Sequence, residues 1–251
     1  MMIFTIAIQE FKSHFKTPLA WVLFAVLQII LSYLYLTQVE TFDLMQANLV
    51  GIEGAPGLTD IVVTPLFSNA AIILLLVTPL LTMRVISEER RNKTLPLLLA
   101  APLSDTDIIL GKYLGTLALL WLIVILIALM PLSLLLGGDL DMGKYLANVL
   151  AITLLVGAFT STGLFMSTLV DHPTVAAIGT FGILLILWLF NISKTMSDQP
   201  NELLEYLSLL NHFQNIQTGL LSTNDILYFI LFVAFFIVSS IYRLANHRSQ
   251  K

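Results

Sequence analysis

The sequence predicts an all-α integral membrane protein. Six transmembrane helices are expected, with an N-terminal amphipathic interfacial helix, a cytoplasmic loop between helices 2 and 3, and short external helices between helices 5 and 6. Three observations carry this. The 251 residues are 57% hydrophobic and only 11% charged, whereas a soluble domain carries about a quarter charged residues. Mean hydropathy is +0.91, and the apolar stretches are continuous rather than alternating, which selects helices over a closed barrel. Internal charge is densest in one stretch, Arg84 to Lys112.

Taken in order, residues 1–17 carry a helical pattern. Phe4, Ala7, Ile8, Phe11 and Phe15 share one arc, and Gln9, Lys12, Ser13 and Lys16 take the other side, which suits a helix on the cytoplasmic membrane surface. Gln9, Glu10, Lys12 and Lys16 break the first apolar residues and no small-residue cleavage site follows, so the chain is expected to keep its start. Six apolar runs follow at about 19–37, 61–84, 109–136, 145–169, 174–193 and 225–243, each near the roughly 20 residues a crossing needs. Trp21, Tyr33, Tyr35, Tyr113 and Tyr145 fall near their ends, at headgroup level. Pro65 and Pro79 are expected to bend the second span.

Orientation follows from Lys and Arg. On the six-span reading, Lys12, Lys16, Arg84, Arg90, Arg91, Lys93, Lys112, Arg243, Arg248 and Lys251 share one side, leaving only Lys144 and Lys194 of the 12 cations on the other. The positive-inside rule therefore expects both termini in the cytoplasm. The first external loop, about 38–60, has Glu40, Asp43, Glu53 and Asp60 but no cation. Residues 197–224 are too polar for a span, yet Leu203, Leu204, Leu207, Leu210 and Phe213 recur at helical spacing. Short helices in the outer interface, a dip into the membrane, or an ordinary loop with a packed helix all fit. Residues 1–251 read as one membrane domain.

Chemistry-bearing motifs are sparse. Gly138, Gly143 and Lys144 match the skeleton of a phosphate-binding loop, but Tyr145 replaces the hydroxyl residue and no strand precedes it. The absence of cysteine excludes disulfides and thiolate sites. His14, His172, His212 and His247 are not followed by a His or carboxylate at i+3 or i+4 to suggest a metal site. No G-x-S-x-G occurs, and no ionisable residue sits mid-span to suggest a proton relay. An enzyme is not expected, and no metal or cofactor site is assigned to this chain.

The 84–112 stretch has internal structure. Ser87 followed by Glu88 and Glu89 reads as a helix start, with Arg90, Arg91 and Lys93 toward the other end. An apolar run from Leu95 to Ala101 stops at Pro102, and Ser104 with Asp107 reads as a capping box leading into span three. On charge alone a solvated loop would fit, but its leucines need a surface to cover them.

These residues resemble the permeases of type-2 ATP-binding-cassette (ABC) exporters. That family repeats a pair of acids, basic residues, then "T-L-E-x-L-L-x-x-P-x-S" and "G-K". Here the run is Glu88-Glu89-Arg90-Arg91-Asn92-Lys93-Thr94-Leu95-Pro96-Leu97-Leu98-Leu99-Ala100-Ala101-Pro102-Leu103-Ser104, then Gly111-Lys112, with Pro96 where an acid is common. Leu207 to Phe213, Gly219 and Asp225 resemble the family's "L-S-P-x-x-H-F … G … D" region, without its proline. Among subfamilies the gliding-associated permease subunits look most similar.

The resemblance implies a permease subunit whose 84–112 coupling loop docks into a separate cytoplasmic ABC ATPase. The interface would comprise Glu88, Glu89, Arg90, Arg91, Lys93, Thr94, Leu95, Pro102 and Ser104. ATP and magnesium would reside on that ATPase. It further implies a second permease, identical or related, a bacterial inner-membrane location with surrounding lipid, and possible contact with an accessory envelope protein. No nucleic-acid partner is implied. Alternative readings are a membrane scaffold acting mechanically on envelope proteins without moving a solute, and an ATP-independent channel.

Overall fold

The computed structural model describes residues 2–49, 56–100, 102–136, 139–191 and 206–249. Among these residues every regular element is helical. The order is α1 (Met2–Phe15), α2 (Pro18–Leu49), a π-helical turn (Thr59–Val63), α3 (Thr64–Thr82), α4 (Ser87–Arg91), α5 (Leu95–Ala100), α6 (Asp105–Leu132), a 3₁₀ turn (Ser133–Leu136), α7 (Met142–Leu169), α8 (Pro173–Leu189), α9 (Leu209–Gln217) and α10 (Thr223–Ser249). Glu53, Ala101, Gly138, Lys194, Leu203, Leu204 and Lys251, all used in reading the sequence, lie outside the described residues.

Among the described residues, five helical stretches are long and apolar enough to cross a membrane: Pro18–Met45, Thr59–Arg91, Asp105–Leu136, Met142–Leu169 and Thr223–Arg248. The run expected at 174–193 gives α8, with 17 residues. At 1.5 Å per residue that helix is about 26 Å long, against a hydrocarbon core of about 30 Å. Helix α2 overshoots its expected end near residue 37, because nothing in QVETFDLMQANL breaks a helix before Gly51. Part of the expected first external loop is therefore helical. Pro65 lies in the first turn of α3, where its missing N–H costs little, and Pro79 lies inside the helix.

Helix α7 is the centre of the bundle: α3, α6, α8, α9 and α10 all pack on it. Its small residues permit this. A Cβ at Gly163 would come within 2.0 Å of Thr82 Oγ1, so α3 and α7 cross here in close contact. The buried hydroxyls of Thr160, Ser161 and Thr162 donate to carbonyls of their own helix, leaving them satisfied without water. By contrast α2 is peripheral, with Trp21, Ile29, Tyr33 and Leu36 exposed on its outer side.

Helix α1 has three faces. Ile3, Ile6, Ala7, Glu10, Phe11 and His14 are partly buried, Gln9, Lys12 and Ser13 are exposed, as is Lys16 just beyond the helix, and Phe4 and Ile8 are exposed apolar side chains. The inward face rests on α6 at Gly111 and Gly115. A Cβ at Gly111 would meet Ile6 at 2.6 Å, and one at Gly115 would meet the Ala7 carbonyl at 2.6 Å. Glycine is required by this approach.

Candidate functional site beneath the 84–112 loop

Helix α3 ends at Thr82, and the chain turns through Met83–Ile86 before α4. Ser167 of α7 holds that turn: its Oγ accepts from the N–H groups of Ile86 (2.9 Å) and Ser87 (3.0 Å) and donates to the Met83 carbonyl (3.2 Å). Ser87 therefore does not cap α4, as its sequence position suggests; Ile86 takes the cap position and the Ser87 hydroxyl turns back to the Met83 carbonyl. Helix α4 closes with Thr94 N–H donating to the Glu89 carbonyl (2.9 Å) and Lys93 N–H to the Arg90 carbonyl (3.1 Å), a Schellman ending. Lys93 occupies its left-handed position with φ 58°.

The next turn is anchored from a distance. Arg248, near the end of α10, donates to the carbonyls of Leu99 (2.8 Å) and Leu103 (3.2 Å) and pairs with Asp105 (3.1 Å). The first of these bonds satisfies a carbonyl that the short α5 leaves open. The expected capping box forms: Ser104 Oγ accepts from Asp107 N–H, and the Asp107 carboxylate accepts from Ser104 N–H.

Under the loop lies Lys112, only 4% exposed. Its Nζ donates to Glu89 of α4 (2.8 Å), Glu10 of α1 (3.0 Å) and the Val85 carbonyl (2.8 Å). Three N–H groups meet three acceptors, so the buried ammonium is fully satisfied. One side chain thus ties together α1, the loop and α6. His14 sits beside it, 3.4 Å from Thr116 Oγ1 and 3.8 Å from Glu10. Burial holds the His14 imidazole below its ordinary range; Glu10 opposes this and Lys112 reinforces it. A cavity of about 220 Å³ opens among Glu10, His14, Arg84, Glu88, Glu89 and Asn92.

The sequence-derived interface residues divide by direction. Glu89 turns inward to Lys112, Arg90 pairs with Asp171 at the start of α8 (3.3 Å), and Leu95 is buried. Glu88 is half-buried and lies 3.7 Å from Arg91. Arg91, Lys93, Thr94, Pro102 and Ser104 are exposed, as are Arg84 and Pro96. Of the loop leucines, Leu95 and Leu99 are buried and Leu98 and Leu103 pack against the core, while Leu97 is 75% exposed. Sequence reasoning did not assign roles to Glu10, Ser167, Asp171 or Arg248.

Lys144 of the apparent phosphate-loop match pairs with Asp60 (2.8 Å), and the N–H groups of Gly143 and Lys144 both donate to the Asp141 side chain. Those amides serve as a helix cap.

A family model described as ABC-2 family transporter protein matches residues 4–246. The chain belongs to the ABC-2 transporter family. It is therefore the membrane permease component of an ABC transporter and a multi-pass membrane protein. ABC-2 permeases are membrane subunits, generally non-catalytic, and the family implies an ATPase partner in the ABC system. No curated protein gives a significant match to this ABC-2 permease.

Proposed function

We propose that this ABC-2 permease is one half of an exporter, driven by a separate cytoplasmic ATPase that docks on the outer face of the 84–112 loop. The observation that carries this is the loop's two-sidedness. Its inner face is wired to α1, α6, α7, α8 and α10 through Lys112, Ser167, Arg90 and Arg248. Its outer face offers Leu97, flanked by exposed Pro96, Arg91 and Lys93. An apolar knob with a basic rim fits an apolar socket with acidic edges. ATP and magnesium act on the partner. When paired ATPases close, the push enters at Leu97 and reaches the membrane helices through the buried contacts.

In this reading α8 is the sixth crossing, residues 1–251 form one permease domain, and a second permease completes the pathway. Both termini face the cytoplasm of a bacterial inner membrane. Support comes from charge: Lys12, Lys16, Arg84, Arg90, Arg91, Lys93, Arg243 and Arg248 cluster at the loop's end of the bundle, and Lys144 lies at the other. The likeness to gliding-associated permeases rests on size and loop length.

Because the chain has no cysteine, single replacements report cleanly. Leu97→Cys carrying a photo-crosslinker, co-expressed with the cognate ATPase, is expected to form an adduct with that ATPase, and Leu220→Cys is not. An adduct at 220 but not at 97 overturns the docking face. A hydrolysis-dead ATPase separates the scaffold reading, which would keep its function.

A further inference from the structure

We propose that His212 and Asp225 form a proton-binding site that latches helix α9 to the start of α10. This does not depend on how the ATPase docks. Both residues are buried, at 4% and 5% exposure. Nδ1 of His212 lies 2.6 Å from Asp225 Oδ1, and Nε2 lies 2.8 Å from the Tyr206 carbonyl oxygen. A carbonyl oxygen only accepts, and so does an ionised carboxylate. Satisfying both contacts therefore takes two protons, on the ring or shared with Asp225. A neutral ring facing an ionised Asp225 has one, and a lone pair then meets a lone pair at one of the two contacts.

Contacts on both partners hold the pair in place. Tyr228 stacks on the imidazole at 4.0 Å with an interplanar angle of 21°, and Tyr206 stands edge-on at 5.4 Å. Of the two rings, it is the stacked Tyr228 that offers the face attractive to a cation. Asp225 lies in the first turn of α10, where the helix dipole favours negative charge, and Asn215 Nδ2 approaches the same Oδ1 at 3.5 Å. Tyr228 Oη donates to the Leu207 carbonyl (2.9 Å), so the second ring is fixed as well.

The other elements packed on α9 bring few titratable groups. Helix α8 has none, and α7 brings Lys144, paired with Asp60 on the opposite side of α9, and Tyr145. Among the described residues the pair's own contacts therefore dominate its proton count. An opening of about 410 Å³, lined by Asn215, Thr218, Leu220 and Asn224, reaches the pair and gives a proton a path to it. Since α9 packs on α7, α8 and α10, the latch restrains these three helices at the end away from the loop.

The test is hydrogen exchange of the full chain in nanodiscs from about pH 5 to about pH 9, corrected for intrinsic rates. In wild type, protection of the α9 amides is expected to fall by at least about fivefold as the proton leaves, the effect of one unmade buried hydrogen bond. Asp225→Asn lets a neutral ring keep both contacts, accepting from the amide and donating to Tyr206, so protection should stay high and flat. His212→Ala should be unprotected throughout. Flat wild-type protection, or the wild-type profile retained in Asp225→Asn, overturns the proposal. Nitrogen NMR of His212 in the wild type decides independently of any variant. Two protonated ring nitrogens at low pH, one lost together with the protection, is the expected result. A single protonated nitrogen at every pH contradicts it.

Discussion

Lys112 shows how much depends on one buried cation. Replacing it with alanine leaves Glu10 and Glu89 facing each other with no counter-charge, and Coulomb repulsion joins the desolvation cost. Lys112→Ala is expected to destabilise by about 3 kcal/mol, read as a lowered midpoint of thermal unfolding in nanodiscs. The same change in a Glu10→Gln, Glu89→Gln background should cost far less, because no unpaired charge remains. Equal losses in both backgrounds would show that packing, not charge, is what Lys112 supplies. His14 adds a pH dependence. Its imidazole is held neutral, chiefly by burial, so the unfolded chain takes up a proton first, near about pH 6.5. The stability that His14 contributes is complete above that pH and is lost on acidification. His14→Gln should flatten that loss in a thermal midpoint measured at about pH 7.5 and about pH 5.5. Little of this was legible in the sequence. The Gly111-Lys112 pair stood out by resemblance, but its carboxylates are 102 and 23 positions away, and local patterns carry no signal over such separations. His212 and Asp225 also stood out by resemblance, but 13 positions separate them, and no local pattern pairs residues so far apart.

Elements follow local chemistry where local chemistry decides. The Ser104–Asp107 box was readable because both partners lie within four residues. Ser87 was misleading because Ser167 of another helix holds the N–H groups of Ile86 and Ser87, and the Ser87 hydroxyl turns back to the Met83 carbonyl instead of capping α4. The apolar arc of α1 was read as facing one way, yet Phe4 and Ile8 point away from the protein while Glu10 and His14 point in. The reason is Gly111 and Gly115, which set where α1 can approach α6. Gly115→Val is therefore expected to lift α1 off α6 and raise hydrogen exchange along α1, with α7 unaffected. Lys93 offers the opposite kind of change. Its left-handed backbone disfavours any residue with a Cβ, and Lys93→Gly should stabilise the α4–α5 turn by up to about 1 kcal/mol, seen as slower exchange at Thr94. Unchanged exchange there would mean that the positive φ is not retained in solution.

At the scale of the molecule, composition and the placement of Lys and Arg were enough for the membrane class and for grouping the loop with both termini at one end. The span count was less legible, since α8 is short and α2 runs on past its apolar stretch. In the proposed coupling the loop separates docking from transmission: Leu97 on the outside would bind the ATPase, and Glu89 with Lys112 on the inside would pass the motion on. The most direct test measures ATPase retention and ATP hydrolysis together, on the permease–ATPase complex in nanodiscs. Leu97→Asp should lose the ATPase by at least about tenfold in affinity, the scale of one interface hot spot. Glu89→Gln should retain the ATPase while hydrolysis no longer responds to the permease. If Leu97→Asp binds and stimulates like wild type, or if Glu89→Gln leaves stimulation unchanged, the loop does not work in this way.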